Sequence, residues 1–520
     1  MESNSLRNAL KPAEQWLLAG ILGLAVLFRA WGLNVKLPYI YHPDEPLYIT
    51  ISQNIFKNKD LNPHFFNYPS LFFYLNAAAY IPYYSLGKIL GVFNQPGEIL
   101  SPISLVLGTT LAPLPTTVIL GRMLTLIFSI GTVALVYLIG RSLTRDKAVG
   151  LLAAALMALS PSMVSHGRII TPDTFVTFFV LAAFLFSVYL FQTAHTKHYL
   201  AAGLLVGLAA STKYNSLVIA LAPIAAHFLR AGLVGIREKR LYLAALMIAI
   251  GFLLFTPYAL LDYQEFTADL MFEAWHYSSG HTGMDGQTLS WYLTFLWQTT
   301  GPIAILAGLE ILSSLYRRHK PALLLSLFPL VYFVFICQFI VRNERTILPM
   351  LPFLFLLAAN LLVRGWRTYS ASQPAITRLL VMTGLLGLTG AALILPGVQT
   401  IQNQIRLSIV DSRETARIWI AEHLPPGSKI AIESYAPYID PNQYSLTSLG
   451  YMIDHSPEWF AENGYHFLVF SQGMYGRLYE QPEKYSLEIS SYEALFKRFR
   501  LLKEFNDGDF QVLIYQVSEP

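Results

Sequence analysis

Charge is scarce in this 520-residue sequence: Asp, Glu, Lys and Arg together make up 13% of positions, against roughly 25% in a soluble domain. With 54% hydrophobic residues and a mean hydropathy of +0.45, such a chain must have much of its surface solvated by a bilayer. Cysteine is nearly absent. The one residue, Cys337, lies inside an apolar stretch and excludes an intramolecular disulfide framework. A basic stripe is also missing. The net charge of +4 comes from residues in short loops between apolar runs, which excludes a nucleic-acid-binding surface. No glycine-rich phosphate loop, solenoid repeat or low-complexity linker occurs.

What the sequence does contain is apolar runs of membrane length. A transmembrane helix needs about 20 apolar residues. Stretches 15–33, 116–140, 148–166, 174–193, 241–261, 290–315, 321–341, 346–363 and 378–400 qualify. The first follows Arg7 and Lys11 and lacks a small-x-small cleavage site, so it reads as a retained signal anchor. Stretch 199–231 is too long for one span and is split at Ser211-Thr212-Lys213-Tyr214-Asn215, giving about eleven spans in all. With the N-terminus inside, alternate loops carry Arg141, Arg145 and Lys147; Lys197; Arg230, Arg237, Lys239 and Arg240; Arg317, Arg318 and Lys320; and Arg364, Arg367 and Arg378. The other loops hold acids such as Asp60, Glu98, Asp262, Glu265, Asp269 and Asp285. This is the alternation expected of cytoplasmic and outer loops.

Two outer regions are large. Residues 34–115 contain an amphipathic piece after Pro43 and aromatic-rich stretches around 68–86 that read as interfacial helices. Beyond about residue 405 the pattern changes to a helix-like DSRETARIWIAEHL and strand-like KIAIES, HFLVF and FQVLIYQV. The expected fold is therefore an α-helical polytopic membrane domain, 1–404, followed by a small extracytoplasmic α/β domain, 405–520. An odd span count puts that domain outside.

Several polar residues stand at the outer span mouths. Tyr41-His42-Pro43-Asp44-Glu45 follows the first span, and Thr171-Pro172-Asp173-Thr174 opens a later one. Each aspartate is either a helix N-cap or a carboxylate placed to take a proton from an acceptor hydroxyl. Glu45 is adjacent to Asp44 but about 100° around a helix from it. Lys213 and Arg345, and less clearly Arg342, are outer-side cations that the charge rule disfavours. They either snorkel to the headgroups or hold an anionic lipid headgroup. Glu273, His276 and His281 share one outer loop and could bind a metal, but their spacing matches no zinc signature and a solvated loop is the plainer reading. His42 and His166 are lone histidines that read as structural, and Asp507-Gly508-Asp509 reads as a hairpin turn.

These residues resemble the membrane glycosyltransferases of the C-type fold, in particular the protein O-mannosyltransferase (family 39) and aminoarabinose lipid A transferase group. The likeness covers about residues 10–365. Its markers are HPDE (42–45), NYPSLFFYL (67–75), GR (121–122), ALSP…SHGRIITPD (158–173), GLLVGLAASTKYN (203–215) and RNERTILPMLP (342–352). One departure is Asn67-Tyr68-Pro69-Ser70, where many relatives carry a Lys or an acid before the proline. The resemblance implies inverting transfer of a hexose or pentose from a polyprenyl-phosphate donor to a hydroxyl of a lipid, glycan or protein, at the outer face of the plasma membrane. It makes Asp44 the base and gives Asp173 a part in positioning acceptor or donor; Glu45, beside Asp44, is a further catalytic candidate. Lys213 and Arg345, with Arg342, would bind donor phosphate. His42, Tyr68, Arg122, Glu273, His276 and His281 would line the acceptor or donor loops.

The chemistry is consistent with those residue types. Glycosyl transfer passes through an oxocarbenium-like state, and a phosphate leaving group needs cations to absorb its charge. No cofactor is required by this set, although a divalent cation would be compatible with the outer acids. The competing class is a transporter or flippase, which would place ionisable residues near the midplane and show internal symmetry. Here the unusual charges cluster at the outer mouths, and the expected partners are a lipid-linked sugar, membrane lipids and an acceptor.

Overall fold

Helices occupy every stretch that reads as a span. The structure is a computed structural model that describes residues 12–284, 286–369 and 375–518; Arg7, Lys11 and Asp285 lie outside the described residues. Among those described, five helices are long and apolar enough to cross a membrane: Pro12–Ala30, Pro115–Thr144, Pro172–Thr193, Glu344–Tyr369 and Ile376–Arg406. Stretch 290–315 is not one straight span. It breaks at Gly301-Pro302 into helices Thr288–Thr300 and Pro302–Arg317, bent by 112°. Proline removes a helical N–H and Gly301 adopts φ +51°, so the ladder cannot continue there. Helices Lys147–Leu159 and Lys320–Ile336 are apolar but shorter. The bundle has an inside and an outside: 89% of the apolar window in Glu344–Tyr369 is buried, against 11% in Ile376–Arg406, which leaves the latter's leucines for lipid.

Two contacts show how sequence sets the packing. Gly203 and Gly207 lie four apart on helix Thr196–Ala210, and a Cβ on Gly207 would stand 2.4 Å from the carbonyl oxygen of Ile248 and 2.8 Å from the Cα of Gly251. Small residues thus let helix Lys239–Phe255 approach to backbone contact, the usual means of packing where lipid supplies no hydrophobic drive. Arg29, fully buried in the first helix, donates to Ser129 Oγ (2.8 Å) and to the carbonyls of Met157 (3.1 Å) and Ala158 (3.2 Å). Those carbonyls end helix Lys147–Leu159, so the guanidinium satisfies acceptors that the helix leaves unpaired.

The region 34–115 contains the expected helices, Glu45–Asn58 and Leu71–Ile89, and a small antiparallel sheet that was not foreseen. Its strands are β1 (Tyr39–Ile40), β2 (Ile103–Val106) and β3 (Thr109–Leu111), in the order β1-β3-β2. After residue 410, helix Ser412–His423, capped by Asp411, leads into a five-stranded sheet. The strands are β4 (Lys429–Glu433), β5 (Ser445–Leu449), β6 (Phe467–Ser471), β7 (Arg500–Asn506) and β8 (Gln511–Gln516). The order is β5-β4-β6-β8-β7, with β4 parallel to β5 and β6 and the β8 pairings antiparallel. Asp507-Gly508-Asp509 is the β7–β8 turn, as expected, with Asp507 accepting from Asp509 N and Phe510 N.

This sheet docks on the small one. Tyr435, just past β4, adopts φ +66°, donates its N–H to Leu107 O (2.7 Å) and covers Gly108. A Cβ at Gly108 would meet the Tyr435 ring at 2.4 Å. Thr109 Oγ1 donates to Ala436 O (2.6 Å), and Lys36 pairs with Asp411. Burial works against the charge on Asp411, but Arg413 and Lys36 outweigh it and hold its pKa well below the ordinary range.

Candidate active site

The helix ends around 44, 173, 213 and 345 converge, and among the described residues three carboxylates there pair with Arg or Lys. Asp44 stands at the N-terminal boundary of helix Glu45–Asn58, yet its side chain makes no capping bond. Its carboxylate is taken by Arg345 instead, in a short ion pair with Nη1. Arg345 is aimed by its neighbour Asn343, whose Oδ1 accepts from Thr346 N (2.9 Å) and starts helix Glu344–Ile347. About a quarter of each partner's side chain remains exposed, 27% for Asp44 and 23% for Arg345. The Asp44 N–H donates to His42 Nδ1 at 3.2 Å. Burial lowers the His42 pKa against the pull of Glu45 and Asp44, consistent with a neutral, accepting ring.

Asp173 and Lys213 form the second pair, Nζ to Oδ1 at 2.7 Å, with both residues buried. Lys213 owes its position to the break in stretch 199–231: helix Thr196–Ala210 ends, Lys213 is extended, and a 3₁₀ turn follows at Tyr214–Ala220. Ser211 fixes the break, accepting from Leu71 N (3.0 Å) and sharing a hydroxyl bond with Thr256 (2.6 Å). The ammonium lies 5.8 Å from the centre of the Tyr68 ring.

Glu45 and Arg122 are the third pair. Arg122 Nε and Nη2 donate to the two carboxylate oxygens at 3.0 and 2.8 Å, and Ile170 N donates at 3.0 Å. Arg122 also donates to Leu33 O and Val35 O. Burial of Glu45 works to raise its pKa, but Arg122 and the Ile170 N–H prevail and the net shift is downward. The pair clamps the chain leaving the first helix against helices Pro115–Thr144 and Pro172–Thr193, and both carboxylate oxygens are occupied.

A cavity of about 250 Å³ opens beside the second pair. Lys213, Tyr68 and Asn215 line one side; Glu273 and Tyr277 come from helix Tyr263–Ser279, and Phe335 and Phe339 close the apolar wall. Glu273 accepts from Asn67 Nδ2 at 3.2 Å. Asn215 donates to Tyr332 OH (3.1 Å), while its buried Oδ1 has no partner among the described residues. Asn215, Tyr277 and Tyr332 were not singled out from sequence. Asn215 sits in the GLLVGLAASTKYN segment, so its signal was adjacency to Lys213.

The remaining candidates scatter. Arg342 lies over Trp291, 5.7 Å from the ring centre, and its N–H donates to Met284 O. His276 stacks on Phe272 and its ring centre is 5.4 Å from that of His281. His166, by contrast, stays at the site, meeting Glu344, the neighbour of Arg345, at 3.2 Å. Glu273, His276 and His281 do not converge as metal ligands; among the described residues the group close enough to share an ion is His64, Asp262 and Glu265. His64 already bonds Asp60, and Asp262 accepts from Asn62.

Residues 108–260 match the family model described as dolichyl-phosphate-mannose-protein mannosyltransferase. No curated protein matches the sequence. Among solved structures, ArnT from Cupriavidus metallidurans in the apo state is similar with TM-score 0.55 at 14% identity, over 98% of this chain and 99% of that one. The same protein bound to undecaprenyl phosphate is similar with TM-score 0.52 at 15% identity, over 97% and 98%. The Archaeoglobus fulgidus oligosaccharyltransferase AglB, in complex with an inhibitory peptide and a dolichol-phosphate, is similar with TM-score 0.54 at 14% identity, over 98% and 74%.

Proposed function

We propose that this chain, which has the fold of the C-type membrane glycosyltransferases, is an inverting glycosyltransferase, taking a hexose or pentose from a polyprenyl-phosphate donor to an acceptor hydroxyl at the outer face of the plasma membrane. The observation that carries this reading is buried Lys213 in the wall of an apolar cavity, with the Asp44–Arg345 pair close enough for Arg345 to act on both Asp173, the partner of Lys213, and Tyr68 in the cavity wall. Neighbours of the same fold hold undecaprenyl phosphate or dolichol-phosphate, which supports the donor class. We further propose eleven crossings, with the α/β unit outside, from the alternation of basic and acidic loops.

In this mechanism the donor phosphate lies against Lys213 and Arg345, and its prenyl chain follows Phe335 and Phe339. Asn215 Oδ1, lacking a donor among the described residues, accepts from a sugar hydroxyl. Asp44 takes the acceptor proton as the acceptor oxygen bonds to C1 from the face opposite the phosphate. The C1–O bond to phosphate breaks, and the electron pair leaves with the phosphate, whose charge the two cations stabilise. Asp173 positions Lys213; Glu45 positions the Asp44 segment through Arg122. Lipids and glycans of cells with and without the gene test the reading by mass spectrometry. Loss of one glycosylated product with accumulation of a polyprenyl-phosphate sugar is expected. Identical profiles would overturn it.

A further inference from the structure

The junction of the two sheets contains a second cavity, of about 430 Å³, within the roughly 300–1,000 Å³ of small-molecule sites. β1 and β3 supply Tyr39 and Leu111 to its wall, helix Ser412–His423 supplies Arg417, and the loop 438–444 supplies Tyr438, Asp440, Asn442 and Gln443. We infer that this cleft binds a neutral saccharide and holds the glycan portion of the acceptor. The inference deepens the transferase reading and rests on it for the word acceptor; saccharide binding stands without it.

The lining has the chemistry of polyhydroxyl recognition. Tyr39 and Tyr438 lie with ring centres 5.5 Å apart, tilted by 34°; Tyr438 is buried and backs the half-exposed Tyr39, which offers the aromatic surface for sugar C–H groups. At the rim, Asp440, Asn442 and Gln443 are planar side chains able to pair with adjacent hydroxyls. Asp440 Oδ1 accepts from Asn442 N and Nδ2 at 2.9 and 3.0 Å, a turn that fixes both residues. Gln443 is exposed and its backbone is anchored through Gly427 N.

Charge selects a neutral ligand over an anionic one. Arg417 is already bound by Glu414, Nε to Oε2 at 2.9 Å and Nη2 to Oε1 at 2.5 Å, while it rests 4.8 Å from the Tyr39 ring centre. With Arg417 neutralised, Asp440 would repel phosphate or carboxylate. Position relates the cleft to the chemistry: Tyr39 and Asp44 are five residues apart, so their separation is at most about 18 Å. An oligosaccharide held over Tyr39 could reach Asp44 with a terminal hydroxyl.

The test uses the full chain in lipid nanodiscs, free of sugar detergents, with chitotetraose, α-1,6-mannotetraose and a Ser/Thr-rich peptide as probes. Hydrogen exchange over 436–444 is followed. One tetrasaccharide is expected to slow it, with affinity falling about tenfold in the Asn442→Ala, Gln443→Ala double variant, whose changes are exposed and spare the core. Tyr438→Ala should abolish protection. Polyprenyl-phosphate binding, measured in parallel, should be unchanged in every variant. If neither saccharide protects the segment, or only the peptide does, the cleft assignment is wrong even where the donor binds. Protection by a saccharide without donor binding would keep the cleft and remove the transferase reading instead.

Discussion

Asp44 and Arg345 are 301 positions apart and share one ion pair, so the carboxylate proposed as base is held by the guanidinium proposed to meet the donor phosphate. A phosphate entering beside Arg345 competes for the same donor N–H groups and loosens its hold on Asp44. Arg345→Lys keeps the charge but loses the planar fork that can serve carboxylate and phosphate together. Donor affinity should fall by about 1.5–3 kcal/mol in Arg345→Ala and by less in Arg345→Lys, measured by titration with a polyprenyl-phosphate sugar. Equal binding by both variants and the parent would make Arg345 a mere partner of Asp44.

Lys213 separates stability from binding. Lys213→Ala leaves Asp173 buried and unpaired, a change that costs about 3–5 kcal/mol when one partner of a buried pair is removed. Adding Asp173→Asn should restore much of the thermal stability without restoring donor binding. Recovery of both in the double variant would reduce the pair to a structural tie.

The α/β unit carries its own pH dependence. Glu433 is fully buried at the end of β4, and burial pushes its carboxyl up from 4.5 to about 8, against hydrogen bonds from Ser471 N, Tyr492 OH and Met452 N. The folded state therefore holds a proton that the unfolded chain releases. This contribution is neutral below about pH 4.5, becomes destabilising as pH rises to about 8, and then levels off, with an upper bound of about 5 kcal/mol. Unfolding followed by tryptophan fluorescence at pH 5 and pH 8 should show a lower midpoint at pH 8. Glu433→Gln should flatten that difference; an unchanged slope would mean that other groups set it.

Much of this arrangement was legible in the sequence, for reasons that differ by element. Central strands β4, β6 and β8 read directly because they bury KIAIE, FLVFS and QVLIYQ. The edge strands β5 and β7, SLTSL and RLLKEFN, did not, since an edge exposes much of its surface and needs no apolar run. The sheet β1-β3-β2 was invisible because its strands have only two to four residues, too few to show an alternating pattern. The Pro-Asp motifs announced Asp44 and Asp173, but only folding reveals that neither side chain caps its helix. Glu45, adjacent to Asp44, shares its motif yet points to Arg122, as the 100° step on a helix requires.

Orientation has its own test. A reporter active only outside the cytoplasm, fused at the C-terminus, should be active, and one fused after Arg318 should be silent, as the basic loops require. The reverse pattern would put Asp44 and Lys213 on the cytoplasmic face and remove the donor assignment.

The central claim is that Asp44 takes the acceptor proton. Asp44→Asn keeps the shape and can still accept a hydrogen bond from Arg345, but it is no longer a base. The direct measurement is single-turnover transfer by purified Asp44→Asn and parent enzyme, with polyprenyl-phosphate binding and thermal midpoint determined on the same samples. A rate lower by about 10²–10⁴, with donor binding and midpoint retained, is the expected result. Transfer within a few-fold of the parent would contradict it and leave Asp44 as no more than the partner that orients Arg345.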